Sequence, residues 1–210
     1  MESQSDRYAL YTLGHSNLEW PAFVELLRLV RVELLIDVRS RPRSMRHPQF
    51  SQPEIEAGLR EAGLRYLFLG EELGGRPEDP KAYRADGLVD YRARRKSYGF
   101  QAGIERVLME AEKCVAALLC AEEDPLECHR FLMICPDLVR AGVEPLHIRK
   151  GGVLETQRTV EDRLLEEHHF GDVTSASLFP ADRAAALEDT YIAQAEKCAF
   201  RADPAVVDYW

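Results

Sequence analysis

The residues of this chain best suited to chemistry are two cysteines, Cys120 and Cys128, together with the histidine and arginine that follow the second. Cys120 ends the apolar run of residues 115–119, and an acidic loop containing Pro125 separates it from Cys128. A helical pattern begins at Cys128, so backbone N–H groups at the helix start lie near its sulfur and favour the thiolate. We therefore predict that Cys128 is a nucleophile and more acidic than a free cysteine, whose pKa is about 8.5.

Four further side chains could move protons near this thiol. His129 follows Cys128 directly, and His15 follows the first predicted strand, so either histidine could act as acid or base. Glu122 and Asp37 also follow predicted strands, and either could orient a histidine or act as a base. Two of them have an ordinary alternative, because His15 could be a satisfied turn histidine and Asp37 could cap backbone N–H groups.

A basic segment follows the second predicted strand. Between Val38 and Pro53 the chain carries four arginines and His47 but no acidic residue. Pro42 and Pro48 favour an extended backbone, from which arginine side chains can fan outward. Guanidinium groups bind phosphate or carboxylate through two parallel hydrogen bonds. The segment therefore predicts an anion-binding site, although a solvated basic face is the common alternative.

The predicted anion site also includes residues from other strand ends. Its arginines are Arg39, Arg43 and Arg130, and its other members are Ser16, Ser44, Gly74, Gly75 and Cys120. Ser16 also fits a helix cap, and the glycine pair also fits a simple turn. A second basic run, residues 92–96, is expected at the rim of the pocket or on a mobile lid.

Strands and helices alternate along the chain. The predicted strands are residues 8–13, 32–38, 64–69, 115–120 and 143–148. This order predicts an α/β fold with a mostly parallel sheet of about five strands flanked by helices, a Rossmann-like three-layer arrangement. Ligands bind such sheets at the carboxyl ends of the strands, where the candidate residues lie. Pro145 suggests that the fifth strand is an edge strand, and Pro136 predicts that the helix after Cys128 kinks or restarts.

The domain prediction follows from the same elements. Residues 1–170 are expected to form the α/β domain, with residues 71–97 as a long binding loop or lid. Residues 171–210 are expected to form a helical extension packed on that domain.

Composition restricts the class of protein. The chain has 210 residues, of which 46% are hydrophobic and 30% charged, with a formal net charge of −9. These values are typical of soluble globular proteins and do not favour general attraction to nucleic acid or to anionic membranes. We see no signal peptide, and no apolar run approaches the roughly 20 residues that span a bilayer. An odd number of cysteines, five, favours reduced thiols in the cytoplasm.

Several catalytic and cofactor motifs are missing from the sequence. There is no phosphate-binding Gly-rich loop before a helix, no dinucleotide-binding glycine pattern, no serine nucleophile elbow and no Cys-x5-Arg phosphatase loop. Cys120, Cys128 and His129 could ligate zinc, but no Cys-x-x-Cys pair accompanies them, so we predict neither a metal nor a cofactor. The other cysteines are expected to be small core residues.

Taken together, these motifs resemble the domain-of-unknown-function 488 family. The matching residues are Thr12-Leu-Gly-His-Ser16, Asp37-Val-Arg39, Pro42, Ser44, Phe50, Tyr66, Leu73-Gly-Gly75, Leu119-Cys-Ala-Glu122 and Cys128-His-Arg130, with Ser177-Leu-Phe, Tyr191 and Ala199-Phe-Arg201 in the tail. The resemblance covers the chain nearly end to end. It implies an intracellular α/β domain, and it brings no activity with it.

Three functions compete on this evidence. The leading hypothesis is a cytoplasmic enzyme, a Cys-dependent hydrolase or transferase, that acts on a phosphate-bearing or other anionic small molecule or on a nucleic-acid component. The second is a non-catalytic nucleic-acid-binding module that uses residues 39–46, and steep loss of binding with salt would favour it. The third is a metal or redox sensor built on Cys120 and Cys128.

Overall fold

A single mixed sheet forms the centre of the molecule. Within residues 10–168 and 180–202, which the computed structural model describes, six strands pair in the order β3-β2-β4-β1-β5-β6. The strands are β1 Leu10–Gly14, β2 Leu34–Asp37, β3 Arg65–Phe68, β4 Ala116–Cys120, β5 Leu146–Ile148 and β6 Leu154–Thr156. The first five are parallel, which confirms the predicted α/β sheet; residues 8 and 9 of the first predicted strand lie outside the described residues.

The fifth strand is not an edge strand. β6 pairs antiparallel with β5, with Leu146 opposite Thr156, and forms the edge in its place. The prediction from Pro145 was wrong because this proline precedes the strand, where no ladder hydrogen bond is needed. β6 itself was not predicted because three residues are too few to show an alternating pattern.

Eight α-helices surround the sheet in the described part of the chain. They are α1 Trp20–Leu29, α2 Gln52–Glu61, α3 Gly70–Leu73, α4 Tyr91–Arg95, α5 Tyr98–Ala111, α6 Cys135–Arg140, α7 Gln157–Glu167 and α8 Pro180–Cys198. Residues 71–97 are therefore not one featureless loop. They include the end of α3, a short 3-10 turn at Pro80–Ala82, and α4, whose first amides are capped by Asp90.

The side chains of the central strand show why the protein has three layers. Along β4, Ala116 and Leu118 face a core shared with α5 and α7, whereas Ala117 and Leu119 face a second core shared with α1 and α2. All five residues of β4 are buried. A strand buried on both faces is uniformly apolar rather than alternating, and this explains the apolar run in the sequence. The three-layer fold predicted from the sequence is confirmed.

The helix after Cys128 restarts, as the position of Pro136 predicted. Residues Arg130–Ile134 form a π-helical turn, and α6 begins directly after it with Pro136 in its first turn. The wider turn removes the need for the N–H group that proline lacks. At the other end, the carbonyl of Cys128 accepts the amides of Phe131 and Leu132 at 3.1 and 3.0 Å, so this cysteine stands at the helical start.

The last described residues return to the α/β domain. In α8, Gln194 Nε2 donates to the carbonyl of Leu126 at 3.0 Å. Beyond α8, the carbonyl of Phe200 accepts the amide of Val89 at 3.0 Å, and this bond ties the segment after α8 to the segment before α4. Among residues 10–168 and 180–202, no helix combines the length and the apolar character that crossing a membrane requires.

Candidate active site at the carboxyl ends of three adjacent strands

Three neighbouring strands bring the candidate residues together. β2, β4 and β1 are adjacent and parallel, so the segments that follow Asp37, Cys120 and Gly14 leave the sheet at the same edge. Backbone bonds hold these segments in contact, because the amide of His15 donates to the carbonyl of Cys120 at 3.0 Å and that of Val38 to Leu119 at 3.1 Å. The expected single site at this edge is therefore geometrically possible.

Gly14 allows the closest of these approaches. A Cβ atom at this position would lie 1.5 Å from the carbonyl oxygen of Glu122. Only glycine lets the end of β1 pass so near to the loop that follows β4. That loop carries Glu122 into the site.

Four side chains form the centre of the site, which we call the thiol cluster: Cys120, Glu122, Cys128 and His129. The S–H group of Cys120 donates to Glu122 Oε2 at 3.0 Å. The Nδ1 atom of His129 lies 3.5 Å from the sulfur of Cys120 and 3.9 Å from that of Cys128. One donor atom from each of the four residues lies within 4.8 Å of all the others. The cluster is thus compact enough to act as one chemical unit.

The orientation of the His129 ring is determined by the backbone. Its Nε2–H group donates to the carbonyl of Val38 at 2.9 Å, so Nδ1 is the atom that faces the sulfurs. Gly75 packs against the ring, since a Cβ there would lie 3.0 Å from Cγ of His129. The ring is held on both sides, and only its Nδ1 atom is available for chemistry.

The two thiols differ in acidity. Burial by itself raises the pKa of Cys128, but the neighbouring thiol of Cys120 and the positive charges of Arg130 and His129 lower it well below the usual value. Burial, then the hydrogen bond and charge of Cys128, raise the pKa of Cys120. Burial alone would lower the pKa of His129, but its hydrogen bond with Cys128 raises it. Both shifts favour transfer of a proton from Cys128 toward His129.

Arg130 supports the cluster from within the protein. It is fully buried, and its three nitrogen atoms donate to the carbonyls of Glu122 at 2.6 Å and Glu123 at 2.7 Å and to the hydroxyl of Thr12 at 3.3 Å. Its backbone amide also donates to the Cys128 sulfur at 3.4 Å. The side chain predicted to bind an anion here holds the loop after β4 in place.

Arg39 is engaged in a similar way. Its guanidinium group forms two hydrogen bonds with the carboxylate of Asp37, at 2.9 and 2.6 Å, and donates to the carbonyl of Phe50 at 2.8 Å. Tyr66 completes the arrangement by donating to the same carboxylate at 2.9 Å. Asp37 therefore pairs with Arg39 and Tyr66, and the hydrogen bonds of His129 go to other groups.

His15 is held in the neutral state. Burial, and then the charge of Arg39, lower its pKa to about 4. Its Nδ1–H group donates to the carbonyl of Ser16 at 3.0 Å, and its Nε2 atom accepts from Arg39 at 3.2 Å. The ring also stacks on Phe50 at a centroid distance of 4.4 Å. Both nitrogens are occupied, so His15 acts in this structure as a support for Arg39.

A cavity of about 780 Å³ opens beside the thiol cluster. It is lined by Arg39, Ser40, Arg41, Arg43, Met45, Gly75, Arg76, Tyr91, Cys120, Ala121, Glu122, Glu127, His129, Cys198 and Phe200. Three of its arginines, Arg41, Arg43 and Arg76, are exposed and make no ion pair with the described residues; we call them the arginine rim. Cys128 is only 1% exposed and lies behind Cys120 and His129.

The structure separates the predicted site residues into two groups. Those that line the cavity are Arg39, Arg43, Gly75, Cys120, Glu122 and His129. Those that do not line it are Asp37, His15, Ser16, Ser44, Gly74, Cys128 and Arg130. Ser16 has a positive φ of 44° and is not a helix cap, and the Ser44 hydroxyl accepts the amide of His47.

The second basic run does not border this cavity. Arg92 pairs with Glu188 and Arg95 pairs with Asp137. Arg94 is buried and donates to the carbonyls of two residues in α3. Arg94 and Arg95 therefore connect α4 to α3 and α6. None of residues 92–96 lines this cavity, so the expectation that they form its rim is not met.

Sequence reasoning left several residues of the cavity wall out of the predicted site, and Arg76 and Phe200 are two of them. The guanidinium group of Arg76 lies over the ring of Phe200 at 4.7 Å. Arg76 directly follows the Gly74-Gly75 pair, and that position was the available signal. Phe200 is distant in sequence from the other site residues, and only the family resemblance had drawn attention to it.

Comparison with known proteins gives one match. A family model described as "Domain of unknown function DUF488" matches residues 19–134. This range contains the basic segment, the glycine pair and the whole thiol cluster. No curated protein and no solved structure matches the chain.

Proposed function

The chain belongs to the DUF488 family, and we propose that it is an enzyme that acts on a phosphate-bearing or other anionic substrate in the cavity beside the thiol cluster. The single observation that carries this proposal is that exposed arginines and three members of the thiol cluster, Cys120, Glu122 and His129, line one cavity. Its size is in the range of small-molecule sites, so a nucleotide or a small phosphate ester is the class of substrate we favour.

The arginine rim supplies the binding half of the site. Arg41, Arg43 and Arg76 are exposed at the cavity and have no carboxylate partner among the described residues. Guanidinium groups in this state can form paired hydrogen bonds with phosphate oxygens. Arg39 and Arg130 contribute indirectly, because they hold the backbone from which the other groups project.

The thiol cluster supplies the reactive half. We assign the nucleophilic sulfur to Cys128 and the proton donor to His129. The sulfur forms a bond to the phosphorus or carbonyl carbon of the substrate, the bond to the leaving group breaks, and the His129 proton goes to that group. Water then cleaves the sulfur bond and returns the proton to His129. Because Cys128 is buried and does not line the cavity, the side chains that separate it from the cavity, the exposed Glu122 among them, must move aside for attack.

We place this activity in the cytoplasm. All five cysteines are free thiols in the structure, although two of them lie side by side in the cluster. A reducing compartment keeps such thiols available.

The proposal is tested by mass spectrometry and by turnover. Reduced, chelator-treated protein is mixed with a panel of nucleotides and phosphate esters. We expect turnover of at least one member and a covalent adduct on Cys128. Cys128→Ser removes both, whereas Cys135→Ser, a buried cysteine that does not line the cavity, retains them. Turnover that survives Cys128→Ser overturns the assignment of the nucleophile.

A matched pair of arginine variants tests the binding half. Arg43→Gln is expected to raise KM about tenfold, because one charged hydrogen bond to phosphate contributes on the order of 1.5 kcal/mol. Arg46→Gln is the control, since Arg46 is exposed on the same loop but does not line the cavity. Equal effects of the two substitutions contradict a defined anion site.

A non-catalytic nucleic-acid-binding module is the second candidate, and the exposed basic loop favours it. The Met45 side chain is 90% exposed between Arg43 and Arg46, an arrangement suited to contact with bases and phosphates together. For this function, binding of a single-stranded oligonucleotide decreases steeply with salt and is unchanged in Cys128→Ser.

A further inference from the structure

The proposed reaction uses two members of the thiol cluster, Cys128 and His129, but it does not require the donor atoms of all four residues to converge. Two sulfurs, one imidazole nitrogen and one carboxylate converge within 4.8 Å of one another. From this geometry we infer that Cys120, Glu122, Cys128 and His129 form a binding site for a zinc ion. The inference concerns the same site as the proposed enzyme function, but it depends on the cluster and not on the reaction.

The distances agree with tetrahedral zinc. With Zn–S bonds of about 2.3 Å and Zn–N bonds of about 2.0–2.1 Å, a sulfur and a nitrogen ligand lie about 3.5 Å apart. His129 Nδ1 is 3.5 Å from the sulfur of Cys120 and 3.9 Å from that of Cys128. Glu122 is closer, at 3.0 Å from Cys120, but its side chain is exposed and can adjust. An ion therefore needs only small shifts of the protein.

The groups around the cluster are those that metal ligands need. Metal-bound histidines generally donate their second ring N–H to a carbonyl or carboxylate, and His129 Nε2 donates to the carbonyl of Val38. The amide of Arg130 donates to the Cys128 sulfur. Both bonds orient the ligand atoms toward the same point. The positions of these two ligands, His129 and Cys128, are thus determined before any ion binds.

The charges also balance. Two thiolates and one carboxylate carry three negative charges, and a zinc ion carries two positive ones, so one negative charge remains. The guanidinium group of Arg130 is fully buried next to the cluster and supplies the compensating charge. This matters because an unbalanced charge in a buried site is strongly unfavourable.

The ligand types select the metal. Thiolates and imidazole favour zinc among the common divalent ions of cells, whereas Mg²⁺ and Ca²⁺ prefer oxygen ligands. Sequence reasoning considered only Cys120, Cys128 and His129 for zinc, and it rejected the site for lack of a Cys-x-x-Cys pair. The fold adds Glu122 as a fourth ligand, because the loop after β4 turns back over Gly14.

Zinc binding and nucleophilic attack by Cys128 exclude each other. A bound ion occupies both thiolates, so the metal-loaded protein is the unreactive form and the metal-free protein is the reactive one. Zinc would in this way control the proposed enzyme at its own reactive centre. The two proposals remain separable, because metal binding is measured without any substrate.

The first experiment measures zinc directly. Reduced, chelator-treated protein is dialysed against zinc chloride, and the bound metal is quantified by inductively coupled plasma mass spectrometry. We expect one zinc ion per chain. Cys120→Ser and Cys128→Ser should each lower the affinity at least 100-fold, and Glu122→Gln about tenfold. Cys135→Ser is the matched control and should bind one ion, since this buried cysteine lies outside the cluster.

The second experiment identifies the ligands. Cobalt(II) in place of zinc should produce the absorption bands of a tetrahedral, thiolate-bound ion in the parent protein and in Cys135→Ser but not in Cys128→Ser. Added zinc should also slow alkylation of Cys128 at least tenfold. Circular dichroism establishes that each variant is folded.

Two results would overturn the inference. One is binding of less than stoichiometric zinc by the folded parent protein. The other is equal loss of binding in Cys135→Ser and Cys128→Ser, which would show that the metal is held by thiols in general. If zinc binds as expected but no substrate of the panel turns over, the enzyme proposal fails and the zinc site stands. If turnover occurs without zinc binding, the reverse holds.

Discussion

At the scale of single residues, a buried relay of polar side chains lies behind the thiol cluster. Arg130 Nε donates to the hydroxyl of Thr12 at 3.3 Å, and that hydroxyl donates to His147 Nδ1 at 2.8 Å. His147 Nε2 in turn donates to Gln157 Oε1 at 3.1 Å. Every member is satisfied, so burial of these polar groups costs little. The relay connects Arg130, which holds the loop after β4, to His147 in β5 and Gln157 in α7.

His147 makes stability depend on pH. Burial, and then the charge of Arg130, lower its pKa to about 3, whereas the unfolded value is about 6.5. The unfolded chain therefore binds a proton that the folded chain excludes. Its contribution to stability is fully present above pH 6.5 and is lost as the pH falls toward the folded pKa.

We expect His147 to lower the free energy of unfolding by about 2 kcal/mol between pH 7 and pH 5. The measurement is chemical denaturation at both pH values for the parent and for His147→Gln. The variant should lose less stability over this interval than the parent does. His15 titrates in the same direction, so the curve of the variant becomes shallower and not flat. Parallel curves for the two proteins would contradict the role of His147.

At the scale of elements, the site depends on how the ends of strands meet the loops beside them. β1 ends at Gly14 against the backbone of Glu122, and the Cys128 carbonyl begins the helical segment that continues into α6. The thiol cluster is therefore carried by a strand end and a helix start, which are rigid. Only Glu122 lies on a loop, and that loop is held by Arg130.

Replacement of Gly14 tests this arrangement. Gly14→Ala places a Cβ atom in contact with the Glu122 carbonyl, which must shift. We expect a loss of stability of at least about 2 kcal/mol, because a backbone contact cannot relax as a side chain does. We also expect weaker zinc binding, because Glu122 moves with the loop.

Gly99→Ala is the matched control for this substitution. A Cβ at Gly99 meets nothing within 4 Å, and Gly99 lies in the first turn of α5. Alanine is favoured over glycine in helices by up to about 1 kcal/mol, so this variant should be unchanged or slightly more stable. Similar behaviour of the two variants in thermal and chemical denaturation would show that the contact at Gly14 is unimportant.

At the scale of the whole molecule, the charge of the cavity differs from that of the protein. The chain has a formal net charge of −9, yet the arginine rim is exposed at the cavity without carboxylate partners among the described residues. Part of the cavity wall comes from the far end of the chain, where Phe200 follows α8 and packs under Arg76. The site is therefore complete only when α8 has packed on the α/β domain.

Phe200→Ala is expected to weaken anion binding by releasing Arg76. A cation–π contact at an exposed site contributes about 0.5–1 kcal/mol, which corresponds to a two- to fivefold decrease in affinity. Titration calorimetry with inorganic phosphate measures the change. Tyr98→Ala is the control, because Tyr98 is 90% exposed and does not line the cavity. An affinity for phosphate that is equal in the two variants would remove Phe200 from the site.

Much of the architecture was determined by local patterns in the sequence. Apolar runs, helical spacing and Gly or Pro stops predicted five parallel strands, the helices between them and the restart of the helix at Pro136. These features depend on neighbours along the chain, so the sequence contains them directly. The same local patterns predicted polar residues at four strand ends and Cys128 at the start of a helix.

The tertiary structure alone decided which partners each polar side chain meets. Strand order brings β4 between β2 and β1, and this order follows from packing across the whole sheet. Arg39 and Arg130 therefore donate hydrogen bonds to buried oxygen atoms, whereas Arg76 lines the cavity. Glu122 joins the two cysteines for the same reason. Nothing in the sequence distinguishes the three arginines. The partners of these long side chains are distant along the chain, so they come within reach only once the chain has folded.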